Sequence, residues 1–493
     1  MSVQTNLQDL QSTVERFIAR AVHPAILDPG EEPLALITGQ WTFTEWNGRL
    51  VLQAWAGPRN LVRKIAGLKL ERRDQIALFT ERFPKTEGEL QIADLAAPNS
   101  HELGRKTSRA AFRERFHLML AREFPLWRIE EVSVEANLEQ SLSTSYARAF
   151  LKLGSNGIAA VAAPPDAPDP AGIVATGLIW MDYLRHREET LTISALALYL
   201  PLKREGPAAL RAAWINPEVV RCQLFAYDER DRCGAIDFAD SGNVDSILPP
   251  CRRPDIPNAQ NVAVDGMPDE VTSIDQSDGS ISMRIRGLEF ARATGGKLTC
   301  GIARRTRCTM ETATAMAREI ARVRTNKTSE RQHPLYLANP EGWLESQVRE
   351  TPSAIDASLL AAPIYGQVPV FSGADRGVID LLGIDHSGRL VVIEIKATAD
   401  LQLPFQALDY WLRVRKHLVA GDFERLGYFT GHVIRPEPPR ILLVAPALEF
   451  HSTIETLLAA FLPSIEITRI GLAADWRHGL RVMFRLQGSE HPN

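Results

Sequence analysis

Asp380, Glu394 and Lys396 are the residues whose types and spacing point most directly to chemistry. They lie within residues 377–417, GVIDLLGIDHSGRLVVIEIKATADLQLPFQALDYWLRVRKH, where two apolar runs carry charged groups that a core strand should lack. IDLLGI at 379–384 and LVVIEIK at 390–396 have the make-up of β-strands, and Asp385-His386-Ser387-Gly388 between them is a hairpin-type turn. Strand side chains alternate faces, so Glu394 and Lys396 project to one side while Ile393 and Ile395 point to the other. Asp380, near the start of the partner strand, can stand beside Glu394 across the pair. Two buried carboxylates beside one ammonium are costly unless something compensates them. A divalent cation does so, and carboxylate oxygens suit Mg²⁺ or Mn²⁺, which keep several waters and take one or two protein carboxylates. The competing reading is a structural ion pair, but a surface pair needs no strand otherwise made of Val, Ile and Leu.

The flanking helices must position these residues. After the second strand, Gln406 and Tyr410 are spaced i,i+4 and share a helix face; such a pair can also simply cap a core edge. Before the first strand, PEGWLESQVRE offers Glu345, with Glu341 as a competing carboxylate and Trp343, Leu344 and Val348 as core residues.

An Asp followed by Glu-x-Lys inside a hydrophobic strand resembles the core of the PD-(D/E)XK nuclease superfamily. The resemblance covers about residues 334–485. Gln406 and Tyr410 look like the Gln-xxx-Tyr element of its RecB-type branch, and Glu345 resembles the acidic residue of the first core helix. The order of motifs is also similar to the catalytic half of the archaeal and actinobacterial mismatch-directed endonucleases. One departure is that no Pro precedes Asp380. The resemblance implies a mixed central sheet flanked by helices. It implies Mg²⁺ or Mn²⁺ on Asp380 and Glu394, with the backbone carbonyl of Ile395 as a further ligand and Glu345 at a second metal or its water shell. Lys396 would orient or deprotonate a water and stabilise negative charge, and Gln406 and Tyr410 would position the strand or the site. The expected activity is metal-dependent hydrolysis of DNA, endonucleolytic in preference. The alternatives are an RNA-directed nuclease and an inactive nucleic-acid-binding or scaffold protein.

A net charge of −4 makes no global case for nucleic acid, but residues 284–331 hold twelve Lys/Arg against four Glu. This segment reads as two strands, SISMRIRGLEFARA and GKLTCGIARR, then the helix METATAMAREIARVRTNK. On that helix Arg318, Arg322 and Arg324 lie near one another, and a clustered basic face can hold a phosphate backbone. With Arg376 they form the expected nucleic-acid contacts; a merely solvated face is the alternative. Tyr365, Phe371, Phe405 and Trp411 could stack unpaired bases or pack the core.

At 493 residues the chain should divide into two to four domains. An apolar share of 45% with 24% charged residues excludes disordered and membrane classes. The apolar runs are too short and interrupted to span a bilayer, and the N-terminus begins as a polar amphipathic helix without an apolar signal core. Five cysteines, odd in number and without a CxxC pair, argue for a reducing compartment. A soluble, cytoplasmic protein is expected, with DNA and a second copy of itself as candidate partners and no membrane. No P-loop, HExxH, GxSxG or Rossmann glycine fingerprint occurs.

The expected fold class is α/β and multi-domain. Residues 1–105 read as a helix plus a small β-rich domain, 106–250 as an α/β domain, 251–335 as a Pro-rich linker and basic segment, and 336–493 as the nuclease-like core. Residues 106–250 repeat the element order of the C-terminal part and read as a degenerate copy, with two unrelated α/β domains as the alternative. Laid together by sequence, Ala162 and Pro164 fall where Glu394 and Lys396 stand.

Overall fold

The structure is a computed structural model that describes residues 7–28, 31–46, 49–56, 59–82, 86–238, 246–251, 266–276, 279–372 and 375–491. The chain forms two compact units. One comprises residues 1–173, 184–204 and 223–235; the other comprises 174–183, 205–222 and 236–493. Both are mixed α/β. Residues 252–265 of the Pro-rich linker expected from residue 251 lie outside the described residues. Among the described residues no helix is long and apolar enough to cross a membrane, and none of the five cysteines forms a disulfide.

In the first unit residues 24–94 form an antiparallel seven-stranded sheet packed against the helix Leu7–Arg20. That helix buries Leu10, Val14, Phe17 and Ile18, an i, i+4, i+7, i+8 stripe, against sheet residues such as Leu52, Ile65 and Leu78. The same unit holds most of a second layered assembly. It begins with α1 (Pro98–Glu123) and continues with β1 (Arg128–Ser133), β2 (Ala147–Leu153) and β3 (Asn156–Ala162). Then come α2 (Ile173–Arg187), β4 (Thr192–Pro201), α3 (Gly206–Ala212), β5 (Arg221–Tyr227) and β6 (Cys233–Ile236). The six strands stand in sequence order in one sheet. β1–β2 and β2–β3 pair antiparallel and β3–β4 parallel. Phe112 and Phe116 of α1 pack on Ala160 and Ala162 of β3 and on Tyr199 of β4.

The second unit contains a five-stranded antiparallel sheet (residues 271–307) backed by α4 (Met310–Val323). After it come α5 (Pro340–Glu350), β7 (Tyr365–Ser372), β8 (Asp375–Ile384) and β9 (Leu390–Ile395). The chain continues through α6 (Leu403–Val419), β10 (Arg440–Pro446), α7 (Ile454–Ala459), β11 (Ile467–Leu472) and β12 (Val482–Gln487). β7 to β12 again stand in sequence order, with the short strand Ser246–Ile247 added at the β7 edge. β7–β8 and β8–β9 are antiparallel and β9–β10 parallel. The hairpin turn is as its residues demand. Asp385 accepts from the N–H groups of Ser387 and Arg389 at 2.9 and 3.0 Å, and Gly388 takes φ +91°.

The two sheets therefore share strand order and the sense of their first three pairings. The equivalence set by the ladders differs by one residue from the one read by sequence. Ala162 pairs Tyr199 and Ile395 pairs Val444, and the next residue in each strand donates to that same partner: Ala163 to Tyr199 O at 2.9 Å, Lys396 to Val444 O at 3.0 Å. Ala162 thus matches Ile395, not Glu394, and both lie on the core face toward the preceding helix. The residues in the places of Glu394 and Lys396 are Val161 and Ala163. Arg148, directly opposite Val161, stands where Asp380 does. A slip of one position exchanges the two faces of a strand, which is why the sequence overlay chose the wrong pair.

Candidate active site

β8 and β9 bring the acids together because of their pairing. Leu381 lies opposite Ile393, so the next position along places Asp380 opposite Glu394. The Asp380 carboxylate accepts from the Ile395 N–H at 3.0 Å, which ties it across the strand pair. Leu381, Ile393 and Ile395 point to the face covered by Trp343, Leu344 and Val348 of α5. The alternate residues Leu382 and Val392 pack toward Val414 and Tyr410 of α6. By the period of two, Asp380, Glu394 and Lys396 share this α6 face.

Burial makes the arrangement electrostatically tense. Glu394 is only 3% exposed, and its Oε2 has no hydrogen-bond partner among the described residues. Burial and then the neighbouring Asp380 push the Glu394 carboxyl well above the usual range. Burial, followed by the Glu345 charge, pushes Asp380 up to about 7. Lys396 responds in the opposite sense to its own desolvation. Burial works against its charge, but the carboxylates of Glu341, Glu394, Asp400 and Asp380 hold it above the ordinary lysine value. Its Nζ lies 3.4 Å from Asp400 Oδ2. An ammonium held this way donates hydrogen bonds and neutralises charge; it is a poor base.

Glu345 sits on the buried side of α5, 3.7 Å from Arg349. A side chain at position 366 would meet both: a Cβ there would fall 2.8 Å from Arg349 Nη1 and 3.2 Å from Glu345 Oε1, so Gly366 leaves their space open. Glu341, one turn earlier, acts electrostatically on Asp380, Glu394 and Lys396 alike. It belongs to the site as closely as Glu345 does, and the i−4 spacing from Glu345 was its signal in the sequence. Gln406 and Tyr410 lie on α6, and the Gln406 Oε1 is buried without a hydrogen-bond partner among the described residues. Burial, then the charges of Glu394 and Asp380, drive the Tyr410 phenol upward, while a backbone hydrogen bond from Val378 works against that rise.

Among the described residues no group of three or more His, Cys, Asp or Glu side chains is arranged to hold a metal ion. Asp380 and Glu394 are nonetheless an oxygen-donor pair of the kind a hard divalent cation takes, because Mg²⁺ retains most of its waters and needs few protein ligands. A buried carboxylate oxygen lacking a donor, beside a second acid, is a fit for such an ion.

The basic face expected on α4 does not form. Arg324 is 0% exposed, and it donates to the carbonyls of Arg286 (3.0 Å), Leu335 (3.1 Å), Ala338 and Asn339 (2.8 Å) while lying 4.6 Å over the Trp343 ring. It gathers the backbone ahead of α5 and touches no solvent. Arg322 is ion-paired with Glu319 at 2.7 Å and with Glu330. Only Arg318 stays exposed with no ion pair among the described residues. The Arg376 and Phe371 side chains lie outside the described residues. Tyr365, Phe405 and Trp411 are buried. The Tyr365 hydroxyl accepts from Phe429 N at 2.8 Å and Trp411 donates to Pro439 O at 2.7 Å, so these rings are core residues and not stacking platforms.

No family's sequence profile matches this chain. No curated protein matches it in sequence. Among solved structures it is similar to the EndoMS–dsDNA2 complex, with 16% identity over 41% of this chain and 77% of that one and a TM-score of 0.21. It is also similar to a repair endonuclease from Pyrococcus abyssi, with 18% identity over 40% of this chain and 76% of that one and a TM-score of 0.17. Superpositions this loose identify neither the fold nor the activity of this chain.

Proposed function

We propose that the C-terminal module is a PD-(D/E)XK-type, Mg²⁺- or Mn²⁺-dependent nuclease that hydrolyses phosphodiester bonds of DNA, endonucleolytically in preference. The observation that carries this reading is the placement of Asp380 opposite Glu394 on two paired strands, both acids held above their ordinary pKa, with Lys396 on the same face. The motif resemblance favours DNA over RNA.

Asp380 and Glu394 would hold the cation, with the Ile395 carbonyl as a further oxygen donor. A bound divalent cation supplies positive charge against the phosphate and lowers the pKa of water. Lys396, held protonated by its carboxylate neighbours, donates to a phosphate oxygen as negative charge builds at phosphorus. Glu341 and Glu345 keep the field around Lys396 and Asp380 negative, which favours the ammonium and the approach of a cation. Gln406 and Tyr410, on the helix facing the acids, orient the bound strand. The attacking water gives its oxygen to phosphorus, the ester bond to the leaving sugar oxygen breaks, and that oxygen takes a proton.

The test is the purified full chain on plasmid, linear duplex, single-stranded DNA and RNA, each with Mg²⁺, Mn²⁺ or EDTA. DNA cleavage that EDTA abolishes is expected. Binding without cleavage under every condition would assign the chain to the inactive, nucleic-acid-binding class, and cleavage of RNA alone would move the substrate.

A further inference from the structure

We infer that this chain carries one catalytic centre and one vacated copy of it, and therefore cuts a single strand of a duplex per encounter. The inference rests on the nuclease reading above.

The sheets β1–β6 and β7–β12 run in the same order with the same first three pairing senses. A helix precedes the first strand of each, and helices join the third strand to the fourth and the fourth to the fifth. At the positions fixed by the ladders, Glu394 is answered by Val161, Lys396 by Ala163 and Asp380 by Arg148. Neither Val161 nor Ala163 offers an oxygen side chain. Arg148 removes a ligand and adds a positive charge where a cation would be drawn. The guanidinium is buried and committed to the backbone, donating to Ser143 O at 2.7 Å and to Glu135 O.

A second observation is independent of the sheets. Within the second unit, the segment after α3 and the segment after α7 pair with each other reciprocally. Ile215 bridges Phe461, Asn216 donates to Ala460 O at 2.8 Å, and Leu462 donates to Trp214 O at 3.0 Å. The flanking helices repeat the exchange. Arg211 of α3 pairs with Asp409 of α6 at 2.8 Å, and Thr456 of α7 donates to Asp182 of α2 at 3.3 Å. Equivalent segments meeting each other in this self-complementary way are the mark of a two-fold contact between identical subunits. Here one chain supplies both sides, so no second copy is needed to complete the contact.

A duplex is severed when both antiparallel strands are hydrolysed, which takes two centres or two encounters. With one centre, a single P–O ester bond breaks and the water oxygen joins phosphorus. The leaving sugar oxygen takes the proton, and one phosphomonoester and one hydroxyl remain at a nick.

The experiment is supercoiled plasmid in excess over the full-length protein, with Mg²⁺ or Mn²⁺, followed through time. Open circles should accumulate first, with linear DNA appearing only after a lag as second events fall near earlier nicks. Linear product rising with the first cleavage, without prior open circles, overturns the inference and leaves the nuclease reading standing. No cleavage with either metal removes both. A readout free of turnover is Mn²⁺ binding by electron paramagnetic resonance. Glu394→Gln, with unchanged circular dichroism, should lose all tight binding, and tight binding that survives would show the other module to be a live site.

Discussion

The sheets β1–β6 and β7–β12 present the same scaffold with and without a polar centre. Both bury apolar residues of their third and fourth strands beneath the helix that precedes them, with Ala160, Ala162 and Tyr199 in one and Ile393, Ile395 and Val444 in the other. On the opposite face of the third strand one carries Val161 and the other Glu394. The first arrangement is what packing alone would select. The second places two carboxylates side by side where burial, first of all, raises the proton affinity of both. The difference teaches that the scaffold stands without the acids. In the metal-free protein Asp380 and Glu394 are tolerated by the fold and do not build it.

The largest effects should come from making the polar sheet resemble the apolar one. Glu394→Gln or Asp380→Asn should lower cleavage by about 10³-fold or more, and Lys396→Met by about 10²–10⁴-fold. Val161→Ala, at the matching place in the other sheet, should leave the cleavage rate unchanged. Equal losses in plasmid assays of Val161→Ala and Glu394→Gln would erase the distinction between the modules. Next in size is Arg148→Met. It leaves the Ser143 and Glu135 carbonyls without their donor and should cost about 1–3 kcal/mol in urea unfolding, with activity per folded molecule retained.

A smaller effect sharpens the comparison through pH. Because Asp380 and Glu394 are held above their ordinary values, the folded metal-free protein binds protons more tightly than the unfolded chain does. Their contribution is complete at pH below about 4, the unfolded range, and is lost as pH climbs through the raised folded-state values, about 7 for Asp380. Metal-free Glu394→Gln should therefore melt above wild type at pH 8, by about 2–5 °C, with the gap closing in acid. Calorimetry across pH 4–8 in EDTA reads this directly, and a gap that is constant with pH would mean that burial does not raise the proton affinity of Glu394. Smallest of all, Arg318→Glu should weaken DNA binding equally for all sequences and reduce the salt slope by about one, measured by fluorescence anisotropy. An unchanged slope would leave that helix with no part in binding.

The centre was legible because strands have a period of two. Glu394, Lys396 and Asp380 could be assigned to one face from spacing alone, and Gln406 with Tyr410 from the helical repeat. Glu341 was harder to place, since choosing between it and Glu345 depends on how far α5 is rotated against the sheet, which spacing does not encode. Arg324 was misread for a different reason. Three arginines near each other on a helix look alike in sequence, yet one meets carbonyls contributed by residues 286 and 335–339 and is swallowed by them. The register of β3 was lost to a single-residue offset among small apolar residues, where Ala160, Val161, Ala162 and Ala163 offer nothing to distinguish inside from outside.

The Arg324 clamp also bears on where this chain can be divided. Gly287, at φ +76°, lies so close to α5 that a Cβ there would fall 1.8 Å from Gly342 O, and Asn339 donates to Gly287 O at 3.2 Å. A fragment beginning at residue 336 would keep the acids and lose this embrace. The Trp343 indole would be stripped of Arg324 and Arg286, and the carbonyls before α5 would open to water. The helix bearing Glu341 and Glu345 would then start on its own Asn339 cap alone, without the contacts that Asn339 and Gly342 make to Gly287. The smallest autonomous piece that preserves the acidic centre must therefore reach back through the five-stranded sheet, and what looks in sequence like a linker is the footing of the active helix.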